Sequence, residues 1–138
     1  MGFMAGAHYW FPKFFGKMYN ETAAKISWLF IFLGFNVTFM PQFIMGSQGS
    51  PRRYYNYLPE FQTLNRISTV GAFMIGFGFV LAAIYFAVAL KYGKKAPSNP
   101  WRGKTLEWMT SSPPPTENFR TDPIVTGSFY DYRGEKAA

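Results

Sequence analysis

"ISWLFIFLGFNVTFMPQFIM", from Ile26 to Met45, runs for 20 residues without a charge. "STVGAFMIGFGFVLAAIYFAVAL", from Ser68 to Leu90, does the same for 23. A helix of about 20 apolar residues is long enough to cross the ~30 Å hydrocarbon core of a bilayer. The plainer reading is a pair of core helices in a soluble domain. A chain of 138 residues could hardly cover two helices that are apolar on every face. The two runs therefore read as a membrane hairpin, and the fold class as an all-α membrane protein.

The details of both runs suit that reading. Gly71, Gly76 and Gly78 in the second and Gly34 in the first are poor residues for a soluble helix. They are common in membrane helices, where they let backbones approach. Pro41 should kink or end the first run, with neighbours or Thr38 satisfying the backbone groups it frees. Asn36, Thr38 and Gln42 are polar at membrane depth. Thr38 and Gln42 are four apart and share a helix face, whereas Asn36 and Thr38 do not. Such groups are expected to face protein or cofactor rather than lipid.

Composition agrees. Aromatic residues make up 21% of the chain, phenylalanine alone counts 16, and only 15% of residues are charged. Average soluble domains carry about 25% charged residues. Residues 1–92 are strongly apolar; residues 93–138 are polar and proline-rich, and read as an extended tail that docks on something larger or is disordered alone. The absence of cysteine excludes disulfides, thiolate nucleophiles and Cys-based zinc sites. The net charge of +7 comes from cations that flank the apolar runs without forming a tract, so nucleic acid is set aside as a partner.

The N-terminal "MGFMAGAHYWFPKFFGKM" is apolar as far as Phe11, too short to span, and lacks the marks of a signal peptide. It reads as the last turns of a third membrane helix, with "HYWF" as its aromatic exit and Pro12 closing it. Residues 1–18 thus form a helix end, 19–45 a loop and span, 46–67 an outer loop, 68–92 a second span and 93–138 the tail.

Lys13, Lys17, Lys25, Lys91, Lys94, Lys95, Arg102 and Lys104 lie on one side of this hairpin, and Arg52, Arg53 and Arg66 on the other. The positive-inside rule puts the larger set, and both termini, in the cytoplasm. Arg52 and Arg53 then stand on the outer side, against the trend. Guanidinium is permanently charged and offers planar, bidentate donors. A turn that keeps two of them there is expected to meet carboxylates or phosphates, unless it is merely a solvated turn or a contact to lipid headgroups.

Nothing else in the chain suggests chemistry. His8 is the only histidine and has no partner for a metal site, so it reads as a polar tip among interfacial aromatics. Glu21, Glu60 and Glu107 are far apart and pair with nothing for acid–base work. No glycine-rich phosphate loop or nucleophile elbow occurs.

The succession "HYWFPKFFGKMYNE", "GFNVTFMPQF", "GSPRRYYNY" and "STVGAF", followed by "NPWRGKTLEWMTSSPPPTENF", resembles the C-terminal part of subunit I of the haem-copper cytochrome c oxidases, in its bacterial form. The resemblance covers nearly the whole chain, and five motifs in one order make it specific. It implies a bundle of twelve membrane helices, of which this chain would hold the end of the tenth and all of the eleventh and twelfth. Arg52 and Arg53 would bind haem propionates, and Phe39 and Gln42 would line the low-spin haem. The family's iron ligands fall upstream of Met1 and its copper ligands further upstream, so this chain would give propionate contacts without metal ligands and would not be active alone. The partners implied are the rest of subunit I, other oxidase subunits, the lipid bilayer of the bacterial cytoplasmic membrane and, for the full complex, cytochrome c. The family's function is electron transfer from cytochrome c to oxygen coupled to proton pumping. Phe43, Ser50, Tyr55 and Asn56 depart from the family's usual residues, which leaves the finer hydrogen bonding near the propionates open. The alternative is a stand-alone structural or assembly hairpin that binds anionic lipid or a partner subunit through Arg52 and Arg53.

Overall fold

The computed structural model describes residues 1–51, 53 and 55–124. Among them are three α-helices: α1 over Gly2–Phe15, α2 over Glu21–Ser47 and α3 over Gln62–Tyr92. Short 3-10 turns occupy Pro59–Phe61 and Leu106–Trp108. No strand occurs among the described residues, only an isolated antiparallel bridge between Lys17 and Lys95. The chain separates into two compact units, Asn20–Ala87 and Met1–Tyr19 with Val88–Ala138.

In the first unit, α2 starts where Asn20 accepts the Ala23 N–H on its side-chain oxygen at 2.9 Å, an ordinary N-cap. Its buried side is Ala24, Ser27, Ile31, Gly34, Thr38, Pro41 and Met45. The intervals alternate between three and four, the seam of a left-handed helix pair. Opposite it, α3 buries Ser68, Gly71, Gly78, Ala82 and Tyr85. Small residues let the backbones meet. A Cβ on Gly71 would stand 2.5 Å from the Thr38 nitrogen and 2.8 Å from the Val37 carbonyl carbon; one on Gly34 would stand 2.8 Å from the Ile75 nitrogen. The Ser27 hydroxyl donates to the Gly78 carbonyl across the seam at 2.8 Å.

Pro41 does not end α2; the helix runs on to Ser47. Proline removes one N–H from the ladder and frees the carbonyl four residues earlier. Nearby polar bonds hold that stretch together. The Thr38 hydroxyl donates to the Gly34 carbonyl at 2.7 Å, and the Ser68 hydroxyl donates to the Thr38 carbonyl at 3.0 Å.

Large apolar side chains on the other faces of both helices, Trp28, Phe32, Phe43, Phe73 and Phe77 among them, are exposed. Only 28% of the most apolar window of α2, and 22% of that in the segment Pro59–Tyr92, is buried. A soluble core helix would be mostly covered. Both helices are long and apolar enough to cross a membrane.

In the second unit, α1 passes through Pro12 and continues to Phe15, so Pro12 does not close it as expected. Gly16 does. It sits in the left-handed region at φ 63°, and its N–H bonds the Pro12 carbonyl at 2.9 Å. Over residues 93–124 the tail folds onto α1. Trp108 is 2% exposed, with its ring edge-on to Tyr9 at 5.0 Å. Its indole N–H donates to the Tyr9 hydroxyl at 2.7 Å, while that of Trp101 donates to the Tyr9 carbonyl at 2.8 Å. Asn99 donates to the carbonyl and accepts from the N–H of Gly103, both at 2.8 Å, closing a loop.

Candidate functional site at the interhelical turn

The chain leaves α2 through a tight exit. The Gln48 N–H reaches back to the Ile44 and Met45 carbonyls, the Ser50 N–H bonds Met45 at 3.0 Å, and Gly49 takes φ 86°. It enters α3 over Phe61, which is 6% exposed and packs beneath Ser50, Pro51 and Leu58. The Asn65 amide donates to the Phe61 carbonyl at 3.1 Å. One buried phenylalanine thus pins a turn whose other described residues from Pro51 to Glu60 are exposed. Tyr55 and Tyr57 are exposed, as is Arg53. Arg53 is held at φ 57°, a left-handed conformation rare for a residue with a Cβ. Arg52 lies outside the described residues. Arg66, on the first turns of α3, is exposed.

Phe39 and Gln42 sit three apart on α2, on the flank next to the α3 seam. Phe39 is 47% exposed, and its ring lies 4.6 Å from that of Phe35. Trp28 and Phe32 stack lower on the same helix at 5.3 Å. The Gln42 amide donates to the Ser68 hydroxyl at 2.9 Å, and that hydroxyl donates in turn to the Thr38 carbonyl. Thr38 and Gln42 therefore share the α3-facing side, as their spacing requires. Asn36 is exposed and donates to its own helix at the Phe32 carbonyl, 2.8 Å away. The exposed flank of α2 thus carries aromatic rings, tilted by 45° at Phe35 and Phe39, and the exposed Arg53 lies in the turn that follows the helix. Among the described residues no three of His, Asp or Glu gather as a metal site.

His8 lies in α1, where its Nδ1 faces the Met4 carbonyl at 2.6 Å and its ring meets the Tyr19 edge at 5.3 Å. Glu21 pairs with Lys25 at 2.9 Å on an exposed surface, a bond of little energetic weight. Glu60 and Glu107 each stand in the first turn of a 3-10 segment.

Sequence reasoning counted Lys13 among the flanking cations and missed its place. It is 4% exposed. Its ammonium donates to the carbonyls of Ser98 and Thr110, both at 2.8 Å, and of Ser111 at 3.2 Å, and lies 5.1 Å from the Trp108 ring centre. Burial pulls its pKa below the ordinary lysine value, and Glu107 pulls it back. Three acceptors match the three donors of a charged ammonium and not the two of a neutral amine. No periodicity signals this role, because all three acceptors are backbone groups of the tail.

Comparison with known proteins gives one consistent result. Residues 1–74, more than half of the chain, match the family described as cytochrome c and quinol oxidase polypeptide I. The chain is 46% identical to cytochrome c oxidase subunit 1 of Bacillus sp. (strain PS3) over 90% of its own length and 21% of that protein's. It is 43% identical to haem-copper oxidase subunit I+III of Aeropyrum pernix over 91% of itself and 15% of the relative. Against cytochrome c oxidase subunit 1 of Thermostichus vulcanus it is 41% identical over 98% of itself and 24% of the relative. The chain spans about a fifth of the length of these relatives.

Proposed function

Because the chain belongs to the cytochrome c and quinol oxidase polypeptide I family, we propose that it serves as the C-terminal section of the oxidase's subunit I, where it supports haem without ligating metal. It is a multi-pass membrane protein. The finer reading places α2 and α3 as the last two of twelve helices, with both termini cytoplasmic and residues 46–67 on the outer face of the bacterial cytoplasmic membrane. Its partners are then the remainder of subunit I and the other oxidase subunits, with cytochrome c delivering electrons to the full complex and proton pumping coupled to oxygen reduction.

The observation that carries this reading is an exposed Arg53 in the turn that follows a membrane-length helix with an exposed aromatic flank, in a chain of this family. Haem presents an apolar face and two carboxylates, and when bound supplies the electron-carrying iron. Arg52 and Arg53 would give the propionates charge-assisted hydrogen bonds. Phe39 would cover the macrocycle edge, with Phe35 fixing the angle of its ring. Gln42 would be oriented by Ser68. Copper belongs to the whole subunit; this section supports no copper ligand set.

The test uses the assembled complex carrying Arg52→Ala, Arg53→Ala or Arg66→Ala. Losing one partner of a buried ion pair costs about 3–5 kcal/mol and far less when the pair is exposed. A propionate short of its partner takes up a proton more readily. Either PRRY variant should shift the haem midpoint potential or lower haem occupancy, and Arg66→Ala should leave both alone. Unchanged potential and occupancy in both PRRY variants would reduce the turn to a solvated loop.

A further inference from the structure

We infer that the end of α3 carries a binding surface for the headgroup of an anionic phospholipid, built from Lys91, Lys94 and Lys95 around Lys17. Lys17 is distant in sequence from the other three, and backbone bonds draw it to them. The Met18 N–H bonds the Lys94 carbonyl at 2.8 Å, and the Ala96 N–H bonds the Gly16 carbonyl at 2.8 Å. The bridge so formed sets Lys17 directly opposite Lys95. Like charges placed opposite one another in a strand pair are destabilising.

Part of that repulsion is absorbed. The Lys17 ammonium donates to the Leu90 carbonyl at 2.5 Å and the Lys91 carbonyl at 3.3 Å, so it caps the C-terminus of α3. The partial negative charge of a helix C-terminus accounts for about half an elementary charge. Lys91, on the last turn, stands 5.3 Å from the Tyr92 ring centre and shares the same benefit. Lys94 and Lys95 lie beyond the helix, exposed. Among the described residues the one ion pair is Lys25 with Glu21, so none of the described carboxylates pairs with this cluster. Over the described residues the cluster is a surplus of positive charge.

Its position selects the counter-charge. α3 has the length and apolarity of a membrane span and ends at Tyr92, so the cluster begins where the hydrocarbon stops. Tyr92 is 73% exposed, an amphipathic ring of the kind that sits at headgroup level. A phosphate fixed at that depth meets three lysines whose backbones are already held, so binding orders little of the chain. The site lies in a different unit from the arginine turn, and its ligand is lipid, whatever the fate of the haem reading.

The experiment places the full 138-residue chain in nanodiscs of phosphatidylcholine with phosphatidylglycerol as the minor component, and measures which lipid remains with the protein on extraction. The wild type should retain phosphatidylglycerol over phosphatidylcholine. Lys94→Gln with Lys95→Gln should lower that preference about 30-fold, from the ~1 kcal/mol that each of the two lysines near an anionic surface contributes. Lys94→Arg with Lys95→Arg should keep it, and so should the equally neutralising pair Arg102→Gln with Lys104→Gln. Inorganic phosphate at millimolar concentration should not compete. Retained preference in the double glutamine variant, equal loss in the Arg102/Lys104 pair, or displacement by free phosphate would each overturn the proposal, the last by making the site one for a soluble anion.

Discussion

The two units of this chain solve the same problem with opposite materials. Asn20–Ala87 is regular helix throughout its bulk and is held by what is missing: side chains absent at Gly34, Gly71 and Gly78 let two backbones touch. The unit of α1 and the tail has almost no regular structure beyond α1. It is held by large side chains: Lys13 and Trp101 donate to backbone carbonyls, and Trp108 donates to the Tyr9 hydroxyl. In a bilayer the first strategy fits, because lipid is as apolar as the helices and only close packing favours association. At the water interface the second fits, because an irregular segment must find a partner for every buried polar group.

The contrast breaks most severely at Gly71. A Val there would drive its side chain into the Thr38 and Val37 backbone, which cannot rotate aside. Overpacking of this kind costs about 1–3 kcal/mol, and more where backbone must shift. Gly76 has nothing within 4 Å of its Cβ position, so Gly76→Ala should be neutral or slightly stabilising from helix propensity. Unfolding of both variants in bicelles, followed by helix content, should separate them; equal stability would mean that α2 and α3 do not meet through glycine.

Lys13→Met should come next, and should strike only the other unit. It leaves three tail carbonyls without their shared donor, and a buried polar group left unsatisfied costs about 1–3 kcal/mol. The expected result is faster proteolysis between residues 93 and 124, with the α2–α3 helix signal unchanged. Trp108→Phe keeps most of the ring and deletes one hydrogen bond, worth about 0.5–1.5 kcal/mol. Combined with Tyr9→Phe it should cost little more than either change alone, since both remove the same bond; full additivity would show that the bond contributes nothing. The smallest effect is expected at Ser68→Ala, which interrupts the Gln42–Ser68–Thr38 relay. Interhelical hydrogen bonds in membranes average about 0.6 kcal/mol. A loss above ~2 kcal/mol there would make the hairpin depend on polar bonds after all, and erase the contrast.

The same division explains what could be read from sequence. The spans, the close approach at Gly34, Gly71 and Gly78 and the shared side of Thr38 and Gln42 were legible from charge-free length, small residues and helical spacing, whereas Gly76 meets no neighbour. Pro12 did not close α1 and Pro41 did not end α2, since the penalty of a proline inside a helix depends on neighbouring polar bonds. The tail was unreadable: Lys13 bonds backbone carbonyls 85 to 98 positions away, and no local pattern encodes that. At the site, Phe39, Gln42 and Arg53 took on meaning through motif resemblance, with spacing alone linking Gln42 to Thr38. The sequence set Lys17 on the same side of the hairpin as Lys94 and Lys95, but the backbone pairing that joins them arises only in the fold.

Arg53 occupies a backbone conformation that glycine would adopt without cost and that a side chain enters at about 1–2 kcal/mol. In a randomised library at this position, sorting for membrane insertion alone should enrich glycine. Sorting the same library for respiratory competence should return arginine. The divergence of the two outcomes would measure, at a single codon, how much conformational ease the chain gives up to keep a guanidinium at that turn.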